Sequence, residues 1–126
     1  MRLEVLVGAL KAVEGIQFFS LQKGAPSAEL KNAPTPILDY TEELHDFLDT
    51  ATLIGALDLV ISVDTAVAHL AGALGKPVWV LLPFVPDWRW LLDREDSPWY
   101  PTMKLFRQKS LGDWSAPMTQ LAEALD

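Results

Sequence analysis

The chain of 126 residues contains no cysteine, so disulfide bonds and thiolate metal sites are excluded. It also lacks an excess of basic residues, because ten lysines and arginines stand against seventeen aspartates and glutamates, for a formal net charge of −7. A general nucleic-acid-binding domain needs a basic face, and we therefore predict no nucleic-acid partner. A small anionic ligand is still compatible with this charge, since one helix N-terminus and one lysine or arginine can hold a diphosphate locally.

Long apolar runs are missing as well. Asp64, His69 and Lys76 interrupt the longest one, well short of the roughly 18 apolar residues that a membrane span needs. Glu4 and Lys11 interrupt the apolar N-terminus, and no small-residue cleavage site follows, so we predict no signal peptide. Together with the lack of cysteine, these absences favour a cytoplasmic protein with no membrane span.

Several familiar motifs are absent too. The sequence has no G-x-G-x-x-G, no G-x-S-x-G and no pair of histidines at zinc-binding spacing. Residues 72–76 (GALGK) resemble a phosphate loop superficially, but they fall at a predicted helix end and precede Pro77, where serine or threonine is required. The charged run at residues 93–96 is more simply explained as a solvated loop than as a cation site. We therefore expect neither a metal site nor a cofactor.

What the chain does contain is dominated by residues 58–84, DLVISVDTAVAHLAGALGKPVWVLLPF. Residues 59–63 form a short apolar run rich in β-branched side chains, which predicts a buried strand. Residues 65–74 carry apolar side chains at helical spacing, and Gly75 suits the left-handed position after a helix. Residues 78–82 form a second apolar run. The pattern predicts one strand–helix–strand unit.

Strands and helices alternate along the rest of the chain. We predict helices over residues 3–13, over residues 50–57 with Asp49 as N-cap and from Asp113 onward, and strands over residues 16–21, 37–40 and 103–107. This alternation predicts an α/β fold with a doubly wound parallel sheet, in one Rossmann-like domain over residues 1–126. Such a domain normally opens with a strand, whereas this chain opens with a helix. We therefore expect the sheet to lack its first strand, as in a fragment of a longer protein.

The candidate binding site is the turn of residues 62–65 (Ser-Val-Asp-Thr) between the first strand and the helix of the central unit. Ligands of open parallel sheets bind outside the carboxyl ends of the strands, and a helix N-terminus favours phosphate. Asp64 is a good N-cap, Thr65 adds a hydroxyl, and His69 follows one turn later on the same helix face. The simpler alternative is that Asp64 only caps the helix and that His69 is a partly buried surface histidine.

Residues 58–84 resemble the C-terminal, donor-binding domain of GT-B glycosyltransferases of the ADP-heptose–lipopolysaccharide heptosyltransferase type, glycosyltransferase family 9. That family has, in this order, a strand, an Asp-[Ser/Thr]-[Gly/Ala] turn, a histidine and an Ala-rich helix that ends in Gly-x-Pro. Residues 64–66 match the turn, and His69 matches the histidine. A further resemblance is to the glycosyltransferase-like domains that end bacterial tetratricopeptide-repeat proteins, whose Leu-Pro-Phe-x-Pro-Asp-Trp-Arg-Trp segment is matched at residues 82–90. The likeness extends over residues 16–107.

By this resemblance, Asp64, Thr65 and Ala66 would lie against the donor diphosphate, with the Thr65 hydroxyl and backbone N–H groups as hydrogen-bond donors. Asp64 would order the turn or bind a sugar hydroxyl, because its carboxylate and a phosphate repel each other. A protonated His69 would help to neutralise the leaving nucleotide, which makes it the candidate catalytic residue.

The resemblance also implies that two further loops surround the nucleoside. The first is formed by Gln22, Lys23 and Gly24, where Lys23 is either a counter-charge for phosphate or a solvated surface lysine. The second includes Leu48 and Asp49, which would pack against the base and contact the ribose, although helix capping accounts for Asp49 equally well.

For the whole parent protein, the resemblance implies metal-independent, inverting transfer of a sugar from a nucleotide diphosphate sugar to an unknown acceptor. GT-B enzymes react in the cleft between two domains, and the N-terminal acceptor domain is missing here, so we expect the isolated domain to be inactive. Two alternatives stay open. One is a non-catalytic nucleotide- or partner-binding scaffold module of a tetratricopeptide-repeat protein; the other is an α/β interaction module that docks another chain.

The loop between residues 83 and 101 is rich in aromatic side chains. These are Phe84, Trp88, Trp90, Trp99 and Tyr100. Tryptophans flanked by prolines often clamp a long loop onto the core, and the alternative is that they line an acceptor or interdomain surface. Arg89, in the same loop, would pair either with a phosphate or with Asp87.

Overall fold

The computed structural model describes residues 2–11, 13–21, 30–33 and 35–125. In chain order they form α1 (Leu3–Leu10), β1 (Phe18–Ser20), β2 (Ile37–Asp39), α2 (Phe47–Ala56), β3 (Val60–Val63), α3 (Ala66–Ala73), β4 (Val78–Leu82), β5 (Met103–Arg107) and α4 (Ser115–Leu125), with 3-10 turns at Thr41–Glu43 and Trp88–Trp90. None of the helices described is long and apolar enough to cross a membrane.

In the part of the chain that the structure describes, β1 to β5 pair in parallel and form two sheets. β1 pairs with β2, with Phe18 opposite Ile37. In the second sheet β4 lies between β3 and β5, so that Val80 faces Ser62 on one side and Leu105 on the other. This arrangement confirms the predicted α/β fold with parallel sheets. Within the described ranges, no strand pairing joins β1 to β3.

Helices cover both faces of the three-stranded sheet. Val80 belongs to a buried cluster with Ile54 of α2 and Ala68 of α3, whereas the next residue, Leu81, belongs to a cluster with side chains of α1 and α4, among them Leu121. Successive residues of a strand point to opposite faces, so β4 must be apolar at nearly every position. This explains why residues 78–82 read as a continuous apolar run.

The central strand–helix–strand unit forms as its sequence predicts. Gly75 has a φ of 71°, and its N–H donates to the Gly72 carbonyl at 3.0 Å while the Lys76 N–H donates to the Ala71 carbonyl at 3.1 Å. These two bonds satisfy the last carbonyls of α3 in a Schellman motif, which needs a residue that tolerates positive φ. Glycine provides that freedom, and the chain then enters β4.

The largest errors in the predicted helix boundaries fall in α1 and α2. α1 ends at Leu10 instead of residue 13. α2 begins three residues earlier than predicted, because Asp46 and not Asp49 is its N-cap, accepting a bond from the Asp49 N–H at 2.9 Å. The Asp49 carboxylate in turn accepts from the His45 N–H at 2.9 Å. Asp46 thus caps the helix, while Asp49 holds the N–H of the residue before the N-cap, a variant of the capping box, in which the returning bond goes to the N-cap N–H.

Candidate functional site

The turn that joins β3 to α3 lies at the carboxyl end of β3, as expected. Ser62 donates a hydrogen bond to the Val63 carbonyl at 2.8 Å, and its Oγ lies 3.0 Å from Oγ1 of Thr65. Both hydroxyls are therefore held in the turn by a short local network. The parallel register of β3 and β4 places this turn at the edge where ligands bind in open α/β sheets.

Thr65, and not Asp64, is the N-cap residue of α3. It has extended backbone angles (φ −142°, ψ 170°), and no side chain caps the helix with a hydrogen bond. The predicted capping role of Asp64 was therefore wrong, because its carboxylate contacts His69 instead. An α-helix begins with N–H groups that have no intrahelical acceptor, and these carry a partial positive charge. This helix end is consequently available to an anion.

His69 lies one turn along α3 from Thr65, among aromatic side chains. Its Nε2 is 3.3 Å from Oδ1 of Asp64, a close contact without hydrogen-bond alignment. Its Nδ1 lies 3.2 Å from the Tyr100 hydroxyl, and its ring stacks on Trp90 at a centroid distance of 5.3 Å. The imidazole is about one-quarter exposed, with a relative side-chain accessibility of 27%. Its orientation is thus fixed from three sides, and a protonated ring would have Asp64 as counter-charge.

A cavity of about 640 Å³ opens beside the turn. Ser62, Val63 and Thr65 line it from β3 and the start of α3, while β1 and α1 line it from the other side. His69 is not among its lining residues, so the hydroxyl and the imidazole of the predicted site face different surroundings. Arg2 also borders the cavity, which makes it the cation that the sequence-based prediction missed. No motif singles out this residue, because only the packing of α1 brings it there.

The other predicted binding residues fall into two groups. Gln22, Lys23 and Gly24 lie outside the described residues. Leu48 and Asp49 lie in the first turn of α2, which follows the carboxyl end of β2. Leu48 is 73% exposed and free to contact a ligand, whereas the Asp49 carboxylate is engaged with the His45 N–H.

The aromatic loop divides into buried and exposed members. Trp90 is fully buried in the core against α3, and the Tyr100 ring packs beside Gly72, so these two clamp the loop as predicted. Trp88 is 73% exposed, and Trp99 is exposed as well although its indole N–H donates to a loop carbonyl. Arg89 lies 3.7 Å from Asp87, which is one of the two partners that the sequence offers for it.

Arg107 of β5 binds the backbone of this loop. Its guanidinium donates hydrogen bonds to the carbonyls of Trp90, Leu91 and Arg94. Burial lowers the pKa of this guanidinium, while the nearby Asp93 carboxylate opposes that shift. Because the ordinary arginine pKa lies so far above neutrality, the group stays charged and keeps all of its donors. The wall of aromatic side chains around His69 is therefore anchored to β5.

Within the described residues, no group of three or more histidines, aspartates or glutamates is placed to hold a metal ion.

Comparison with known proteins relates this site to a family. A family model described as glycosyltransferase family 9 (heptosyltransferase) matches residues 44–81, the stretch from α2 to β4 that contains Asp64, Thr65 and His69. The protein FlbA of Caulobacter vibrioides (strain ATCC 19089 / CIP 103742 / CB 15) is 32% identical over 120 residues, covering 88% of this chain and 19% of FlbA. The chain thus spans about a fifth of the length of that curated relative. No solved structure matches the chain.

Proposed function

We propose that this domain binds the diphosphate of a nucleotide diphosphate sugar at the β3–α3 turn, as the donor half of a GT-B glycosyltransferase. The observation that carries the proposal is the start of α3, which has no side-chain cap and whose N-cap residue, Thr65, borders an open cavity at the carboxyl edge of the sheet. The match of residues 44–81 to glycosyltransferase family 9 supports the same assignment, because it includes this turn.

In this proposal the diphosphate lies over the first turn of α3. The Thr65 hydroxyl and the N–H groups of the first turn, including that of Ala66, donate hydrogen bonds to its oxygens. Hydrogen bonds from a helix N-terminus to an ionised phosphate are stronger than neutral ones, and they need no large basic patch. Arg2, at the far side of the cavity, supplies a positive charge that offsets part of the acidic surface.

We keep the predicted catalytic role for His69, which does not line the cavity and would act on the leaving phosphate across the start of α3, with Asp64 and Tyr100 as positioning residues. Departure of a nucleoside diphosphate leaves negative charge on the phosphate, which a protonated imidazole stabilises electrostatically. Asp64, 3.3 Å from Nε2, and the Tyr100 hydroxyl, 3.2 Å from Nδ1, together fix the orientation of the ring. The transfer needs no metal in this scheme, and it inverts the anomeric centre.

The nucleoside would lie beyond the diphosphate, along the carboxyl edge of the sheet. Leu48 would offer an exposed apolar surface to the base, and Asp49 would offer a carboxylate to the ribose. Lys23, together with Gln22 and Gly24, would supply a further positive charge. The acceptor and the catalytic base would come from an N-terminal domain of the parent protein, in which tetratricopeptide repeats accompany this domain. We place that parent in the cytoplasm.

Binding of nucleotides to the isolated domain tests the proposal. Thermal unfolding should be measured with UDP, GDP, ADP and inorganic pyrophosphate; a ligand at a hundred times its Kd adds about 2.7 kcal/mol to stability. We expect one nucleotide to stabilise the chain. Thr65→Val removes one donor to a charged group and should weaken that binding about tenfold or more. Thr119→Val is the matched control, because Thr119 is exposed on α4 and its hydroxyl donates to the Ser115 carbonyl of the same helix.

Two outcomes would contradict the proposal. Stabilisation by none of the ligands would favour a partner-binding scaffold, for which the exposed Trp88 and its apolar neighbour Val85 are the best docking surface. Equal weakening of binding by Thr65→Val and Thr119→Val would show that the nucleotide binds elsewhere on the molecule.

A further inference from the structure

Leu91, in the aromatic loop, has a strained backbone conformation. Its φ is 56° and its ψ is −163°, and it is the one non-glycine residue with positive φ in the described ranges. A residue with a Cβ meets its own backbone at these angles, which glycine adopts at little steric cost. Strained backbone of this kind persists only where the surrounding structure holds it, and it is concentrated at functional sites.

Burial of the Leu91 side chain does not account for this conformation, because the side chain is 44% exposed. The residue before it, Trp90, is fully buried, and the residue after it, Leu92, is 73% exposed. The strained turn therefore lies at the point where the chain leaves the core. It allows the Trp90 indole to stay inside, stacked on the His69 imidazole at a centroid distance of 5.3 Å.

Arg107 of β5 fixes the backbone on both sides of this turn. Its Nη1 donates to the Leu91 carbonyl at 3.0 Å, its Nη2 donates to the Trp90 carbonyl, and its Nε donates to the Arg94 carbonyl at 2.8 Å. A guanidinium is planar and holds several acceptors in one fixed geometry, whereas an ammonium group acts as a single point charge. Hydrogen bonds from a charged donor are also stronger than neutral ones, so they offset the strain at Leu91.

The next residue in the chain, Gln108, fixes the beginning of the loop. Its Oε1 accepts from the Phe84 N–H at 2.9 Å, and its own N–H donates to the Leu82 carbonyl at 3.0 Å. Two consecutive residues at the end of β5 thus hold the backbone on either side of Trp90. The indole N–H of Trp90 is buried and has no hydrogen-bond acceptor in the described part of the chain. The position of this ring therefore depends on its backbone and its packing.

We propose that Arg107 is a positioning residue for His69, because it holds the strained Leu91 turn and thereby keeps the Trp90 indole against the imidazole. Without the guanidinium, Leu91 would relax to a negative φ and the Trp90 backbone would shift. The imidazole would then lose the ring on which it stacks. The consequence for catalysis rests on the proposed function, whereas the coupling between Arg107 and His69 does not.

Comparison of glycine and alanine at two adjacent positions tests the strain. Leu91→Gly should melt about 3 °C or more above Leu91→Ala, because glycine relieves the cost of a positive φ and alanine does not. Leu92→Gly and Leu92→Ala are the controls, since Leu92 is also exposed but has no positive φ. At that position alanine should be the more stable residue. The same order of stability at both positions would overturn the proposal.

The imidazole NMR signals of His69 test the coupling to Arg107 without any nucleotide. The chain has two histidines, and the exposed His45 provides a reference in each spectrum. Arg107→Met should move the His69 signals toward those of His45, because the stacked Trp90 ring moves away. Arg107→Lys should produce a smaller shift in the same direction. Lys109→Met is the charge-matched control and should leave the signals in place, because Lys109 is exposed beyond the end of β5.

Rescue by glycine distinguishes this positioning role from a general loss of stability. Adding Leu91→Gly to Arg107→Met should return the His69 signals toward their original positions, because glycine keeps the turn without the guanidinium, whereas Leu91→Ala should not. His69 signals that do not respond to Arg107→Met, or that glycine does not restore, would overturn the inference. Failure of the proposed function gives a different result, in which no nucleotide stabilises the unsubstituted chain although the His69 signals still respond to Arg107→Met.

Discussion

Thr65 and His69 lie one helical turn apart but have different neighbours. Thr65 opens onto the cavity between the sheets, whereas His69 is packed between Trp90 and Tyr100. The four-residue spacing correctly placed both near the same helix end. It could not reveal that Thr65 borders the cavity and His69 does not, because the aromatic neighbours of His69 come from a loop far along the chain.

Gly72 is the residue on which the aromatic packing around His69 most directly depends. A Cβ at this position would lie 2.7 Å from Cγ of the Tyr100 ring, closer than real Cβ contacts allow. We expect Gly72→Ala to displace this ring and to destabilise the chain by about 1–3 kcal/mol, the usual cost of overpacking. Chemical denaturation measures this loss, and tyrosine fluorescence or NMR reports the ring's displacement.

Gly55→Ala is the matched control for this substitution. Gly55 is also helical, but nothing lies within 4 Å of a Cβ built there. Replacing glycine by alanine inside a helix with free space should be neutral or stabilising by roughly 0.5–1 kcal/mol. If both variants lost the same stability, close approach to Tyr100 would not be the reason for glycine at position 72.

Among the elements, α4 begins with a carboxylate, that of Asp113, whose contribution to stability depends on pH. The Asp113 carboxylate accepts bonds from the hydroxyl of Ser115 at 2.6 Å and from its N–H at 2.9 Å. These bonds, the hydroxyl first, lower the pKa of Asp113 below its ordinary value of 3.8. A carboxylate with a depressed folded-state pKa stabilises the fold above the unfolded pKa, and loses that contribution as pH falls through the folded value.

We therefore expect Asp113→Ala to lower the melting temperature at about pH 7 and to have a smaller effect at about pH 3. Circular dichroism at both pH values measures the difference. Glu123→Ala is the control, because it removes one negative charge from the exposed face of the same helix. A melting-temperature deficit in Asp113→Ala that stayed constant down to pH 3 would contradict the assigned role of the carboxylate.

Most elements were predictable because their signals are local. β4 and β5 have the predicted bounds, and Gly75 ends α3's final turn as expected. The start of α2 was not predictable, since Asp46 and Asp49 are equally good caps and only the backbone geometry shows that they act together. The exposed Leu48 and Phe47 in its first turn give no core-facing pattern to mark the boundary.

On the scale of the whole molecule, the division of the described strands into two sheets is the feature that the sequence predicted least well. Sequence alternation predicted parallel strands covered on both faces, and the two apolar clusters confirm that arrangement for β3, β4 and β5. The opening helix led us to expect a sheet without its first strand, but the patterns of β1 and β3 do not indicate the cavity that both strands line. Arg2 borders this cavity because of the way α1 packs, so its position could not be predicted from the sequence either.

The central claim is that the N-terminus of α3 holds a diphosphate, and its backbone amides report on this directly. We propose titrating the isotope-labelled domain with inorganic pyrophosphate and with ADP, following each amide by NMR. The largest shifts should fall on Ala66 and Val67, with smaller ones at Ser62 in the same turn. Saturable shifts confined to other parts of the surface, or no shift in the first turn of α3, would contradict the account.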